Sequence, residues 1–88
     1  MKLYKMLVKE FLAEYTDALR KLRSLTQEEM AEQLHITSRA YGDLERGKYC
    51  FSTISLLFLL LMLSNDELKD LLNEFRKRVY NLEHQEVA

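Results

Sequence analysis

The chain has 88 residues, of which 48% are hydrophobic and 31% charged, with one cysteine, two glycines and no proline. That is one small domain of helices joined by short turns, and a lone cysteine excludes an internal disulfide and suits a reducing cytoplasm. The net charge of −1 and pI of about 6.1 exclude a broadly basic surface, so any contact with nucleic acid has to come from charge arranged locally.

The opening "MKLYKMLVKEF" interrupts its apolar residues with lysines and has no small-residue cleavage site, so it does not read as a signal peptide. A first helix is expected from about Leu3 to Arg23, with Tyr4, Val8, Phe11, Tyr15, Ala18 and Leu22 as an apolar stripe. Leu7, Leu12 and Leu19 widen that stripe, and a bend near Glu14 to Thr16 would divide it into two segments. The heptad stepping suits packing on the core more than a partner helix.

A second helix opens at "LTQEEMAEQL", where Thr26 and Glu29 stand at capping-box spacing and Glu28 and Glu29 suit the helix dipole. Met30, Ala31 and Leu34 form its inward face. The turn "HIT" at 35–37 leads into a third helix from about Ser38 to Arg46, capped by Thr37. Its inward residues are Ala40, Tyr41 and Leu44, and its outward face carries Ser38, Arg39, Gly42 and Asp43. Gly47 stands where a helix ends on a residue at positive φ.

A fourth helix is expected over about Thr53 to Leu63, capped by Ser52, and its run "LLFLLLML" reads as a helix buried nearly all round. At residues 56–63 that run falls far short of the ~20 residues a membrane span needs. Cys50, just before it, reads as a small apolar filler. Ser64 and Glu67 form another capping box, opening a C-terminal helix over about 65–82. There Leu68, Leu72, Phe75, Val79 and Leu82 make a seam that wants a partner, and "EHQEVA" is expected to fray. The fold class is therefore all-α: one compact five-helix domain over 1–88, with a core of about 16–63 and a helix-turn-helix of about 26–46.

"LRKLRSLTQEEMAEQLHITSRAYGDLERGK", residues 19–48, resembles the phage-repressor and Cro type of helix-turn-helix family, more weakly continued over the fourth helix to Leu63. The resemblance implies a repressor-like domain with an N-terminal helical extension and an added C-terminal helix. It also implies double-stranded DNA as a partner. Ala31 is small where the two helices cross, and Ile36 plugs the turn. Gln27 stands where the family places a phosphate contact, at a helix N-terminus that already favours an anion. An ion pair between Arg20 and Glu45 is implied, tying the first helix to the end of the third. The third helix would read the major groove with Thr37 and Ser38 at its start, Arg39 as the leading base contact, and Gly42 and Asp43 one turn later. Arg46 and Lys48 suit phosphates.

Asp43 and Gly42 depart from what a DNA-facing helix usually carries. Asp43, four residues after Arg39, is expected to brace that guanidinium or to accept a hydrogen bond from cytosine. Gly42 costs about 1 kcal/mol of helix stability against alanine and would let the backbone approach the groove. His35 replaces a frequent glycine and tolerates the left-handed conformation. Phe58 and Leu61 fall at positions the family leaves polar, so they need a cover, from the fifth helix or the N-terminal extension. Phe58, Leu61, Leu68, Leu72, Phe75 and Val79 are accordingly expected to form a dimer or partner surface.

Two function classes follow. One is a cytoplasmic, sequence-specific regulator, a repressor acting as a homodimer on a pseudo-palindromic operator. The other is an antitoxin-like or regulator-binding protein-interaction module on the same fold, with weak or lost DNA binding. An enzyme is not expected, because no nucleophile–base pair, metal spacing or phosphate-cradling loop is present; no metal, cofactor or membrane is called for.

Overall fold

The computed structural model describes residues 2–85 as five helices, α1 (Lys2–Leu22), α2 (Gln27–Leu34), α3 (Ser38–Glu45), α4 (Thr53–Leu61) and α5 (Asn65–His84). No strand occurs among the described residues. Each of the last four helices starts at a hydroxyl residue in extended conformation. Thr26 and Ser64 head complete capping boxes, and Thr37 and Ser52 each accept a backbone N–H from three residues on.

Helix α1 is continuous, so it is not divided into two segments near Glu14 to Thr16. The buried hydroxyl of Thr16 donates to the carbonyl oxygen of Leu12 at 2.8 Å, satisfied without breaking the ladder. The buried line also differs from the expected stripe. Phe11, Leu12, Ala13 and Leu19 are inside, whereas Ala18 and Leu22 are exposed, because α1 is flanked by α3 and α5 rather than packed along one seam.

Helix α5 runs antiparallel to α1. Phe11 and Phe75 meet with ring centres 5.2 Å apart, and Arg78 reaches Glu14 at 2.7 Å. At the far end Tyr4 donates to Glu83 at 2.6 Å. At the near end Arg23 donates both to the carbonyl oxygen of Met62 and to Glu67, each at 2.6 Å. One arginine thus caps a carbonyl at the C-terminal end of α4 and pins the start of α5. Helix α5 extends through His84, two residues beyond the expected end at Leu82, so the first part of "EHQEVA" is helical and residues 86–88 lie outside the described residues.

The cover expected over α4 does not form. Helix α5 packs on α1, and α4 packs on α2. Only Ser55 and Leu59 of α4 are buried, and Ile54, Leu57 and Leu61 stand 67%, 56% and 78% exposed, so α4 is amphipathic in its environment though not in its sequence. It also ends at Leu61, two residues early. Cys50 is exposed, not a filler. The core gathers Phe11, Leu12, Leu19, Met30, Ala31, Leu34, Tyr41, Leu59, Leu63 and Leu71 beneath α2 and α3.

Candidate nucleic-acid interface

The geometry of α2 and α3 is set by a three-residue turn whose first residue reverses the chain. His35 takes φ 60° and ψ 42°, the left-handed conformation, and its ring lies against Phe58 with centres 3.9 Å apart. The following N–H of Ile36 donates to the carbonyl oxygen of Ala31 at 3.0 Å, closing the end of α2, and Ile36 packs on the core. Ala31 is 2% exposed in that contact, where a larger side chain would separate the helices. Gly47, at φ 74°, ends the segment after α3 as its position requires.

One carboxylate ties three helices together. Glu45 on α3 receives Arg20 Nε at 2.8 Å and Arg20 Nη2 at 3.2 Å, so the pair is two-pronged. Gln27 Nε2 of α2 donates to it at 2.8 Å, and the hydroxyl of Tyr41 donates from one turn back. Arg20 keeps a further bond to the carbonyl oxygen of Leu25 at 3.0 Å. Burial alone pushes the Glu45 carboxyl upward, but the Arg20, Tyr41 and Gln27 donors outweigh it and hold it down to about 2. Burial, then the bond to Glu45, pushes the Tyr41 phenol well above its usual range. The resemblance implied the Arg20–Glu45 pair; Tyr41 and Gln27 were not foreseen in it. Their signals were the i, i+4 spacing of Tyr41 to Glu45 and the position of Gln27 at the first turn of α2.

The outward face of α3 carries Ser38 and Arg39 exposed at its start. Thr37 Oγ1 accepts from Ala40 N at 3.1 Å, leaving its hydroxyl hydrogen free to donate. Arg39 makes no hydrogen bond or ion pair among the described residues. Asp43 does not brace it. Asp43 pairs instead with Arg46, three residues on. The physical reason is the lean of helical side chains toward the N-terminus: Arg46 reaches back to Asp43, whereas Arg39 leans away from it. Gly42 is not an open approach for a groove either, since it is buried beneath the Arg46 guanidinium. Lys48 is exposed, its ammonium 5.5 Å from the centre of the Tyr49 ring.

Acid also lines this side of the molecule. A shallow hollow between α2 and the start of α3 is bounded by Glu28, Glu29 and Glu32 together with Thr37 and Ser38. Of the residues expected on a partner surface, Phe58, Leu68 and Phe75 are packed on the core, and Val79 is half-buried. Leu61 and Leu72 are exposed. Among the described residues no group of three His, Cys, Asp or Glu could hold a metal, and no helix is long and apolar enough to cross a membrane.

A helix-turn-helix family model matches residues 18–63, from the second half of α1 to just past α4. The curated proteins and the solved structures give no match. The matched segment holds the capped helix pair, the left-handed turn and the Glu45 network, and leaves out α1 up to Asp17 and all of α5. The chain belongs to the helix-turn-helix family of the phage-repressor and Cro type, a family of DNA-binding transcription regulators.

Proposed function

We propose that the protein is a sequence-specific regulator, a repressor that binds a pseudo-palindromic operator as a homodimer. The observation that carries this reading is Arg39, an exposed guanidinium without a partner among the described residues, on the outward face of a helix fixed by the Glu45 network. A free planar fork on a rigid helix suits a two-pronged contact to guanine, about 1–3 kcal/mol of discrimination. Gln27, Thr37, Ser38 and Lys48 flank it with donors suited to phosphates, Gln27 keeping one amide hydrogen free beyond the bond to Glu45.

Ile54, Leu57 and Leu61 give α4 an exposed apolar strip without a charged residue, which suits burial against a second copy. Two reading helices about one DNA turn apart then meet two half-sites. The role falls in a cytoplasmic setting.

Selection from a random duplex library tests this reading. The expected outcome is a pseudo-palindrome containing guanine, bound about 1–3 kcal/mol more weakly by Arg39→Ala. Failure to enrich any motif at low salt sinks it.

The apolar strip on α4 and the acidic outer face of α2 favour a second reading, a module that binds another protein. Salt separates the two. DNA affinity falls steeply between 50 and 200 mM salt through counterion release, on the order of 10³-fold or more for several phosphate contacts, while an apolar protein interface hardly responds.

A further inference from the structure

We propose that Arg46 is a second base-reading residue of α3, laid across Gly42 and held there by Asp43, which positions it without touching DNA. The inference rests on the reading above, that α3 enters the major groove.

Arg46 follows the last residue of α3 and turns back along it. Its Nη2 donates to the Asp43 carboxylate. A Cβ placed on Gly42 would come 3.3 Å from its Nη1, so the guanidinium would have to shift by a few tenths of an ångström. Gly42 is therefore the floor on which the guanidinium lies. The acid is the covered partner and the cation the presented one, with side-chain exposures of 13% for Asp43 and 67% for Arg46. A carboxylate so covered is badly placed to accept from cytosine. The guanidinium has five N–H donors, so after one bond to Asp43 it still offers an edge to a guanine.

Phosphate contact suits Arg46 less well than the sequence suggests. Beside it and Gly47 lies a hollow lined by Glu10, Glu14 and Asp17 of α1 and by Glu45, so a phosphate docked there would face four carboxylates. The line of the helix points the other way. Arg39 and Arg46 are seven residues apart and fall within ~20° of one line on the helix surface. Their Cα positions stand about 10.5 Å apart along the helix axis. Each half-site should then carry two guanines.

The test is site selection with the full chain, wild type beside Arg46→Lys, Asp43→Ala and Arg39→Ala. Lysine keeps the charge and loses the planar fork. Arg46→Lys is expected to lose preference at one guanine by about 5- to 100-fold, to keep the other, and to leave the salt slope unchanged. Asp43→Ala relaxes the same base position as Arg46→Lys, and Arg39→Ala relaxes the other. Circular dichroism and melting of each variant confirm that the helices are intact.

Unchanged base preference in Arg46→Lys overturns the proposal and makes Arg46 a backbone contact. A change at a separate cytosine in Asp43→Ala, with the Arg46 position untouched, overturns it equally. If the wild type itself enriches no motif, the reading of α3 as a DNA reader has failed, and the inference with it.

Discussion

Glu45→Ala is expected to lower the unfolding free energy by about 3 kcal/mol, toward the lower end of what breaking a buried ion pair costs. The side chains of Arg20 and Glu45 are 16% and 9% exposed, so water replaces little of what is lost. The substitution takes a shared acceptor from three donors at once: the Arg20 guanidinium, the amide of Gln27 and the hydroxyl of Tyr41. For a domain of this size that is a large share of a typical 5–15 kcal/mol. Urea unfolding of wild type and variant measures it. A loss below ~1 kcal/mol would show that the pair behaves as a solvated surface bridge.

The same carboxylate sets an acid limit. Its folded value of about 2 lies below the ordinary 4.5, so the stability it contributes is present above pH ~4.5 and disappears as pH falls toward 2. Integrated over that window the contribution is on the order of 3 kcal/mol, in keeping with the cost of truncation. In Glu45→Gln this part of the acid loss should be absent. A pH–stability curve of that variant parallel to the wild type between pH 4.5 and 2 would assign the acid sensitivity elsewhere. Tyr41 acts at the opposite end: its phenol is raised, so its contribution holds below pH ~10 and is lost above.

Leu59→Ala and Leu61→Ala should differ by several kcal/mol although the residues lie two apart in one run of leucines. Leu59 is fully buried, and its truncation is expected to cost about 2–5 kcal/mol. Leu61 is 78% exposed, and its truncation should fall within about 0.5 kcal/mol at dilute protein. Melts at several protein concentrations read both quantities. If Leu61→Ala removes a concentration-dependent part of the stability, α4 is the surface joining two copies. Equal losses for the two variants at every concentration would contradict the placement of α4.

The residues of "LLFLLLML" show what a sequence leaves open. Apolar content says that much surface must leave water, but the effect has no direction, so it does not name the helix that supplies the cover. Helix α5 had its own seam, and the cover for that seam was α1, reached through Phe11, Phe75 and the Arg23 pin to Glu67. The exposed strip on α4 is the consequence. Asp43 is a different kind of miss. Its partner was three residues away, and the lean of helical side chains favours Arg46 over Arg39 before any tertiary contact is considered.

What the sequence determined by itself was local. The caps at Thr26, Thr37, Ser52 and Ser64, the left-handed His35 and the positive φ of Gly47 all follow from groups within a few residues of one another. There the unpaired N–H and C=O groups of a helix end have only near neighbours to turn to. The spacing of those signals carried the helix-turn-helix likewise. Tertiary structure alone decided which leucines of α4 are core, which helix α5 covers, and that Gln27 joins Arg20 on Glu45. Those outcomes depend on where separate helices cross, and a residue's burial is a property of its neighbours in space, not of its own side chain.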